Sequence, residues 1–234
     1  MPLDDIEIDQ MDRPLFLQKQ PEQQIQPSFQ SGSIPIKGNR HYLCFNMIGT
    51  ICAITSATGD QYVFDVSFHD TSQRPFHFTE STKFSIAALG STGAIFGSTA
   101  TSVIPSTIYF RPVDTWGNKN DWALSLPEGE SVISLAVNAY CLAAATDMQY
   151  LRLFAPSGVQ TSIRSIPGPI VTIIGNDNHI LVVYHEGGVF HGHQSLAYIL
   201  IDAESGTTVQ KDKCPISPLS TLSWIGFSNS GVYL

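Results

Sequence analysis

Basic residues are scarce in this chain, which has 12 Lys and Arg against 20 Asp and Glu and a net charge of −8. Because the sequence has no cluster of Lys and Arg that could contact a phosphate backbone, direct DNA binding by this segment is disfavoured. Apolar runs of 18 residues are also absent, and the acidic start, MPLDDIEIDQMD, has neither the basic flank nor the apolar stretch of a signal peptide. We therefore expect no membrane association and a location in the cytoplasm or nucleus.

Cysteine is rare and catalytic motifs are missing. The four cysteines, Cys44, Cys52, Cys141 and Cys214, are scattered without CxxC spacing, which favours reduced thiols. The sequence has no GxSxG elbow, no GK[ST] phosphate loop and no HExxH zinc motif. These absences argue against an enzyme, and no cofactor is expected.

The residues that are present divide the chain into two parts. Residues 1–38 are rich in Gln and Pro and too polar to form a core, so they are predicted to be a disordered linker. From residue 39 to 234, apolar runs of five to eight residues alternate with Gly, Pro, Asn, Asp and Ser turns, and no helical periodicity is sustained. This pattern predicts an all-β domain.

A repeat runs through that domain. The segment SVISLAVN, YCLAAATD, YLRLFAPS, VQTSIRSIP predicts four antiparallel strands, and unit starts at Phe84, Ser131, Ile170 and Leu219 give spacings of 47, 39 and 49 residues. Runs such as CLAAAT suit inner strands buried on both faces, whereas TSIRSI suits an outer strand. We predict a WD40-like β-propeller of about four and a half four-stranded blades, cut off inside its last unit. A β-sandwich is the alternative.

Several segments carry a resemblance to a known family. They are NMIGTI, FDVSFHDTS, LRLFAPSGVQ, PGPIV, VVYHEGGVFHGHQSL and LSWIGFSNSG, in this order along the chain. Together they resemble the second β-propeller, or SepB domain, of the replisome hub family that includes the acidic nucleoplasmic DNA-binding protein and its chromosome-transmission-fidelity counterpart, the WD-repeat and HMG-box DNA-binding proteins. The family propeller has six blades.

The resemblance implies a nuclear, non-enzymatic scaffold of DNA replication. Family members form a homotrimer through this propeller and link replicative helicase components, such as GINS, to DNA polymerase α at the fork. The opposing hypothesis is a β-propeller enzyme, or a propeller that binds a metal or small ligand. It predicts convergent polar side chains at the channel mouth, whereas a scaffold predicts an apolar or aromatic patch on the rim.

Three histidines are weak candidates for metal ligands. His185, His191 and His193 lie in HEGGVFHGH, and neutral imidazoles are common zinc ligands. The favoured interpretation is a glycine-rich connection between strands, with His191 and His193 facing water. We therefore predict no metal site.

His69 and Asp70, in SFHDTS with Ser72, suggest a catalytic triad but favour a structural role. Neighbours on a strand point to opposite sides, so we predict that Asp70 and Ser72 stabilise a turn and His69 is a hydrogen-bonding strut within the blade. Tryptophans without adjacent basic residues are predicted to pack between blades, as Trp224 would. Trp116 and Trp122 flank GNKND and are the candidate partner surface.

Overall fold

A computed structural model describes residues 24–34, 39–113, 120–176, 178–228 and 231–233. In these ranges the chain contains eighteen β-strands and no helix. None of the described segments, accordingly, is a helix able to cross a membrane. The all-β prediction is confirmed.

The strands form four four-stranded antiparallel sheets and one hairpin, each sheet being a blade. Blade one contains β1 (Arg40–Phe45), β2 (Gly49–Thr55), β3 (Tyr62–Phe68) and β4 (Phe76–Glu80), and blade two contains β5 (Ile86–Leu89), β6 (Gly93–Gly97), β7 (Thr107–Pro112) and β8 (Trp122–Ser125). Blade three contains β9 (Val132–Val137), β10 (Leu142–Thr146), β11 (Tyr150–Phe154) and β12 (Gln160–Ser165), and blade four contains β13 (Ile170–Gly175), β14 (His179–His185), β15 (Leu196–Asp202) and β16 (Thr208–Lys213). The hairpin of a fifth unit contains β17 (Gly226–Ser228) and β18 (Gly231–Tyr233).

Within each sheet the strands pair in chain order, and the blades are arranged as an open β-propeller. The first strand of each blade is innermost, since β9 packs against both β5 and β13, and β1 packs against β5. Strand β10 (LAAAT) is buried throughout, whereas the outer strand β16 (TVQKDK) is exposed throughout. The predicted contrast between inner and outer strands is thus confirmed.

The hydrophobic core lies between neighbouring blades rather than within one sheet. One cluster joins blades two and three through Ile95, Phe110, Leu135 and Phe154, and similar clusters fill the other blade interfaces. Gly90 allows close approach here, because a Cβ atom at this position would lie 2.4 Å from Val137 Cγ1. Every blade is therefore stabilised mainly by its neighbours.

Residues 24–34, which the sequence assigns to a linker, lie against the inner strands of the propeller, and we call them the central segment. The Phe29 N–H donates to Val171 O on β13 (2.8 Å), and the Ile34 N–H donates to Tyr42 O on β1 (2.9 Å). Their ordered position differs from the linker prediction because their polar side chains bond to backbone groups of the blades. Residues 1–23 and 35–38 lie outside the described ranges, so the linker stays a prediction for them.

The four cysteines are free and buried. Burial raises the pKa of the Cys44 thiol to about 11, which keeps it protonated and unreactive at neutral pH. The predicted reduced state agrees with this arrangement.

Candidate functional site

Trp122 joins blades two and three at the outer rim. Its half-buried ring lies 5.8 Å from the Phe110 ring of its own blade and 5.9 Å from the Phe154 ring of the next, measured between centroids. Its Nε1–H donates to Pro156 O at 2.9 Å. Gly158, with φ +90°, accommodates the indole, since a Cβ atom there would lie 3.0 Å from it. Aromatic contacts of this kind favour a rigid joint.

An open cleft of about 580 Å³ lies beside this joint. It is lined by Thr92, Phe110, Pro112, Asn120, Asp121, Trp122, Pro156 and Ser157. The turns that contribute to it connect first to second or third to fourth strands, which in an up-and-down sheet lie at one end of the ring. The cleft is therefore a feature of one end of the propeller, at its outer rim.

Among the described residues that line this cleft, the charged one is Asp121. Its Oδ2 accepts a hydrogen bond from the Tyr109 hydroxyl at 2.9 Å. Burial of Tyr109, together with this carboxylate, raises the pKa of the phenol to about 12. The described lining holds no histidine, cysteine or lysine, so the cleft offers an apolar floor and one carboxylate. That arrangement suits binding of a partner's apolar or basic side chain.

His69 and Asp70 both bond within blade one. His69 Nε2 lies 3.0 Å from Asn46 O, and Asp70 Oδ1 accepts the Ser72 N–H at 2.9 Å. The hydrogen bond from Ser72 lowers the pKa of Asp70. The structure thus places these residues in a turn with backbone partners, and their role as structural struts stays a prediction.

The three histidine candidates are not brought together. His185 is buried at the end of β14, and its Nε2 lies 2.9 Å from Gln26 O in the central segment. His191 and His193 are exposed on the following turn, where His191 has φ 50°. Among the residues that the structure describes, no three His, Cys, Asp or Glu side chains form a group suited to a metal ion.

The tryptophans occupy different environments. Trp116 lies outside the described residues. Trp224 is 59% exposed and covers Gly226, so it is not packed between blades as the sequence predicted. The prediction differs from the structure because the next residue, Ile225, is the one that is buried in the core just before β17.

Two sets of polar contacts were missed by sequence reasoning. One is a buried ion pair in blade three, in which Arg152 bonds to Glu130 (2.5 Å and 2.8 Å) and to Gln160 Oε1 (2.9 Å). The other is the central segment, whose Gln26 and Gln30 are buried. A signal for the segment was available in Ile25 and Phe29, apolar residues in a polar tract, but the ion pair has no local signal because its partners are 22 residues apart.

Comparison with known proteins identifies relatives over most of the chain. Residues 27–234 match the family model described as Minichromosome loss protein, Mcl1, middle region. The chain is 31% identical over 209 residues to human WD repeat and HMG-box DNA-binding protein 1, covering 88% of this chain and 18% of that protein. It is 32% identical over 205 residues to Minichromosome loss protein 1 of Schizosaccharomyces pombe, covering 86% and 25%.

A budding-yeast relative is also similar. The DNA polymerase alpha-binding protein of Saccharomyces cerevisiae is 28% identical over 186 residues, with 78% of this chain and 18% of that protein covered. The chain therefore spans a quarter or less of the length of these relatives.

Solved structures support the fold alone. The crystal structure of BBS1N in complex with ARL6DN, a β-propeller, aligns with a TM-score of 0.52 at 10% identity, covering 82% of this chain and 59% of that one. A second structure of the same complex, soaked with mercury instead of lead, gives a TM-score of 0.51 and covers 85% and 61%. At such low identity the likeness says nothing about ligands or partners.

Proposed function

We propose that this chain is a non-enzymatic scaffold domain of DNA replication. The premise is that it belongs to the minichromosome loss protein family, whose middle region it matches. The family match over residues 27–234 carries this proposal. In it, the domain acts in the nucleus, associates as a homotrimer, and links the GINS component of the replicative helicase to DNA polymerase α. The name of the budding-yeast relative, DNA polymerase alpha-binding protein, supports the polymerase part of the proposal.

Within this function, the cleft beside Trp122 is the proposed contact for a partner. Its apolar floor and the Asp121 carboxylate fit an apolar side chain next to a basic one, and aromatic residues in pockets are frequent anchors at interfaces. Its position at the outer rim leaves the inner strands free to hold the central segment. Trp116 remains a proposed member of the same surface by its place in the sequence.

Binding to purified partners tests the scaffold function. The whole chain, mixed separately with DNA polymerase α and with GINS, is expected to co-elute with each in size-exclusion chromatography with light scattering. Alone, it is expected to have the mass of three chains. Absence of both complexes would overturn the linking role, and a monomeric mass would overturn the trimer.

Charge reversal tests the cleft. Asp121→Arg is expected to weaken partner binding about tenfold, because it repels a basic side chain. Glu204→Arg is the matched control, since Glu204 is exposed on the turn between β15 and β16 and undergoes the same charge change. Equal losses for the two variants would mean that net charge, rather than the cleft, governs binding.

A further inference from the structure

Side chains of the central segment form hydrogen bonds with backbone N–H and C=O groups along the inner edges of the propeller. At blade three, the Leu135 N–H donates to Gln30 Oε1 at 2.7 Å, and Gln30 Nε2 donates to Leu135 O at 3.0 Å. Leu135 is fully buried with the segment in place, so the glutamine supplies the partners that water would otherwise provide to these groups. The Gln30 amide thus takes the place that a further strand would occupy.

The fifth unit shows the same arrangement twice. The Leu222 N–H donates to Gln26 Oε1 at 2.8 Å, and Gln26 Nε2 donates to Leu222 O at 2.6 Å. The Ser31 hydroxyl donates to Ile225 O at 2.6 Å and accepts the Ile225 N–H at 3.3 Å. Each side chain therefore satisfies both backbone groups of one residue.

Chemistry explains why these residue types occupy these positions. A glutamine amide carries one carbonyl and one NH₂ group, so it can mimic a peptide unit opposite a strand edge. Gln26 and Gln30 are each 8% exposed, whereas Pro27 and Ser28 between them are exposed. The segment therefore presents its glutamines to the blades and Pro27 and Ser28 to the outside.

Backbone contacts fix the segment along its length. Besides the bonds of Phe29 to Val171 and of Ile34 to Tyr42, Gln26 O accepts a hydrogen bond from His185 Nε2 at 2.9 Å. The Gln26 N–H donates to Gln194 Oε1 at 3.1 Å. Phe29 also packs against the apolar cluster between blade four and the fifth unit. Together with the pairing of Gln30 with Leu135, these contacts join the segment to blades one, three and four and to the fifth unit.

We propose that the inner edges of the blades form a peptide-recognition groove, and that the central segment is its ligand bound in cis. The ligand class is an extended peptide with glutamine at positions i and i+4 and serine at i+5. Such a peptide supplied by another molecule competes for the same groove. Side-chain amides provide the specificity, because alanine at either glutamine position leaves both backbone groups of the facing residue unpaired.

Binding of a peptide in trans tests this inference. The probe is a fluorescein-labelled peptide of residues 24–34, QIQPSFQSGSI, titrated into the whole chain carrying Gln26→Ala and Gln30→Ala. The peptide is expected to bind this variant about tenfold or more tightly than it binds the unaltered chain, whose groove is filled. A peptide with both glutamines replaced by alanine is expected to bind about tenfold more weakly. Equal binding of the two peptides, or no binding to a variant that circular dichroism shows to be folded, overturns the proposal.

Hydrogen exchange decides the matter if the double variant does not fold. In the single variant Gln26→Ala, the Leu222 amide is expected to exchange about tenfold faster while the Leu135 amide, held by Gln30, keeps its protection. Gln24→Ala is the control, because the contact that the structure gives Gln24 uses its backbone oxygen. A uniform loss of protection in Gln26→Ala overturns the proposal, since it would make the segment an inseparable part of the core.

Discussion

Blade three is held by two polar contacts of opposite chemistry. On its innermost strand, β9, the neutral amide of Gln30 pairs with the backbone of Leu135. On its third strand, β11, the guanidinium of Arg152 pairs with the Glu130 carboxylate. Both are buried, and both join residues far apart in sequence.

The two contacts differ in what remains buried when one partner is lost. A neutral contact at the inner edge leaves only uncharged groups behind when it is lost, and it does not titrate. A buried ion pair leaves an uncompensated charge when one partner is removed, which costs more free energy. We therefore expect the two contacts to differ in size and in pH dependence.

The largest effect is expected from breaking the ion pair. Glu130→Ala should lower the free energy of unfolding by about 3–5 kcal/mol, because Arg152 would remain buried without its carboxylate. Urea denaturation measures the loss. The double variant Glu130→Leu with Arg152→Met should lose less, since no charge is left behind. A double variant as unstable as the single one would show that shape, not charge, dominates.

A smaller loss is expected from the neutral contact. Gln30→Ala should lower the free energy of unfolding by about 2 kcal/mol, because the Leu135 N–H and C=O lose their partner. Gln24→Ala, an exposed residue of the same segment, should change it by less than about 0.5 kcal/mol. Equal values in urea denaturation would contradict the assignment of Gln30 to a specific pairing role.

The aromatic joint at the rim is expected to contribute less than either polar contact. Trp122→Phe removes the Nε1–H bond to Pro156 O while keeping a ring, and should cost about 1 kcal/mol. Trp224→Phe should have almost no effect, since Trp224 is 59% exposed. Thermal melts of the two variants measure the difference. A larger loss of stability in Trp224→Phe than in Trp122→Phe would contradict the assignment of the structural role to Trp122.

The smallest effect is expected from pH. The hydrogen bond from Arg152 lowers the pKa of Glu130 below its ordinary value of 4.5. A lowered carboxylate pKa contributes stability that is present above the ordinary value and lost as pH falls through the folded-state pKa. Protonation leaves the side chain in place, so the loss should be smaller than that caused by Glu130→Ala.

Urea denaturation between pH 7 and pH 3 (about the range in which carboxylates titrate) measures this dependence. The unaltered chain should lose more stability than the variant Glu130→Leu with Arg152→Met. Asp70 and Asp202, whose pKa values are also lowered, are present in both proteins and cancel in the comparison. Parallel curves would mean that the ion pair does not govern acid sensitivity.

Sequence reasoning reached part of the candidate site. The Asp70 turn could be anticipated because a carboxylate two residues before a turn amide acts locally. Trp122 was identified as a candidate, but whether it faced the rim or a neighbouring blade depended on Phe154 and Pro156, which lie on the next repeat. The exposure of Trp224 could not be predicted either, because its sequence context resembles that of a tryptophan packed between blades.

The sequence by itself determined the blades. A repeat of about 40–50 residues, with apolar inner runs such as CLAAAT and polar outer runs such as TVQKDK, specifies four antiparallel strands because strand burial follows local hydrophobic pattern. Only the tertiary structure decided the fate of QIQPSFQS and of the Arg152–Glu130 pair. A glutamine amide or a charge finds a partner only after the blades have assembled, since the backbone edges and carboxylates that it meets come from distant parts of the chain.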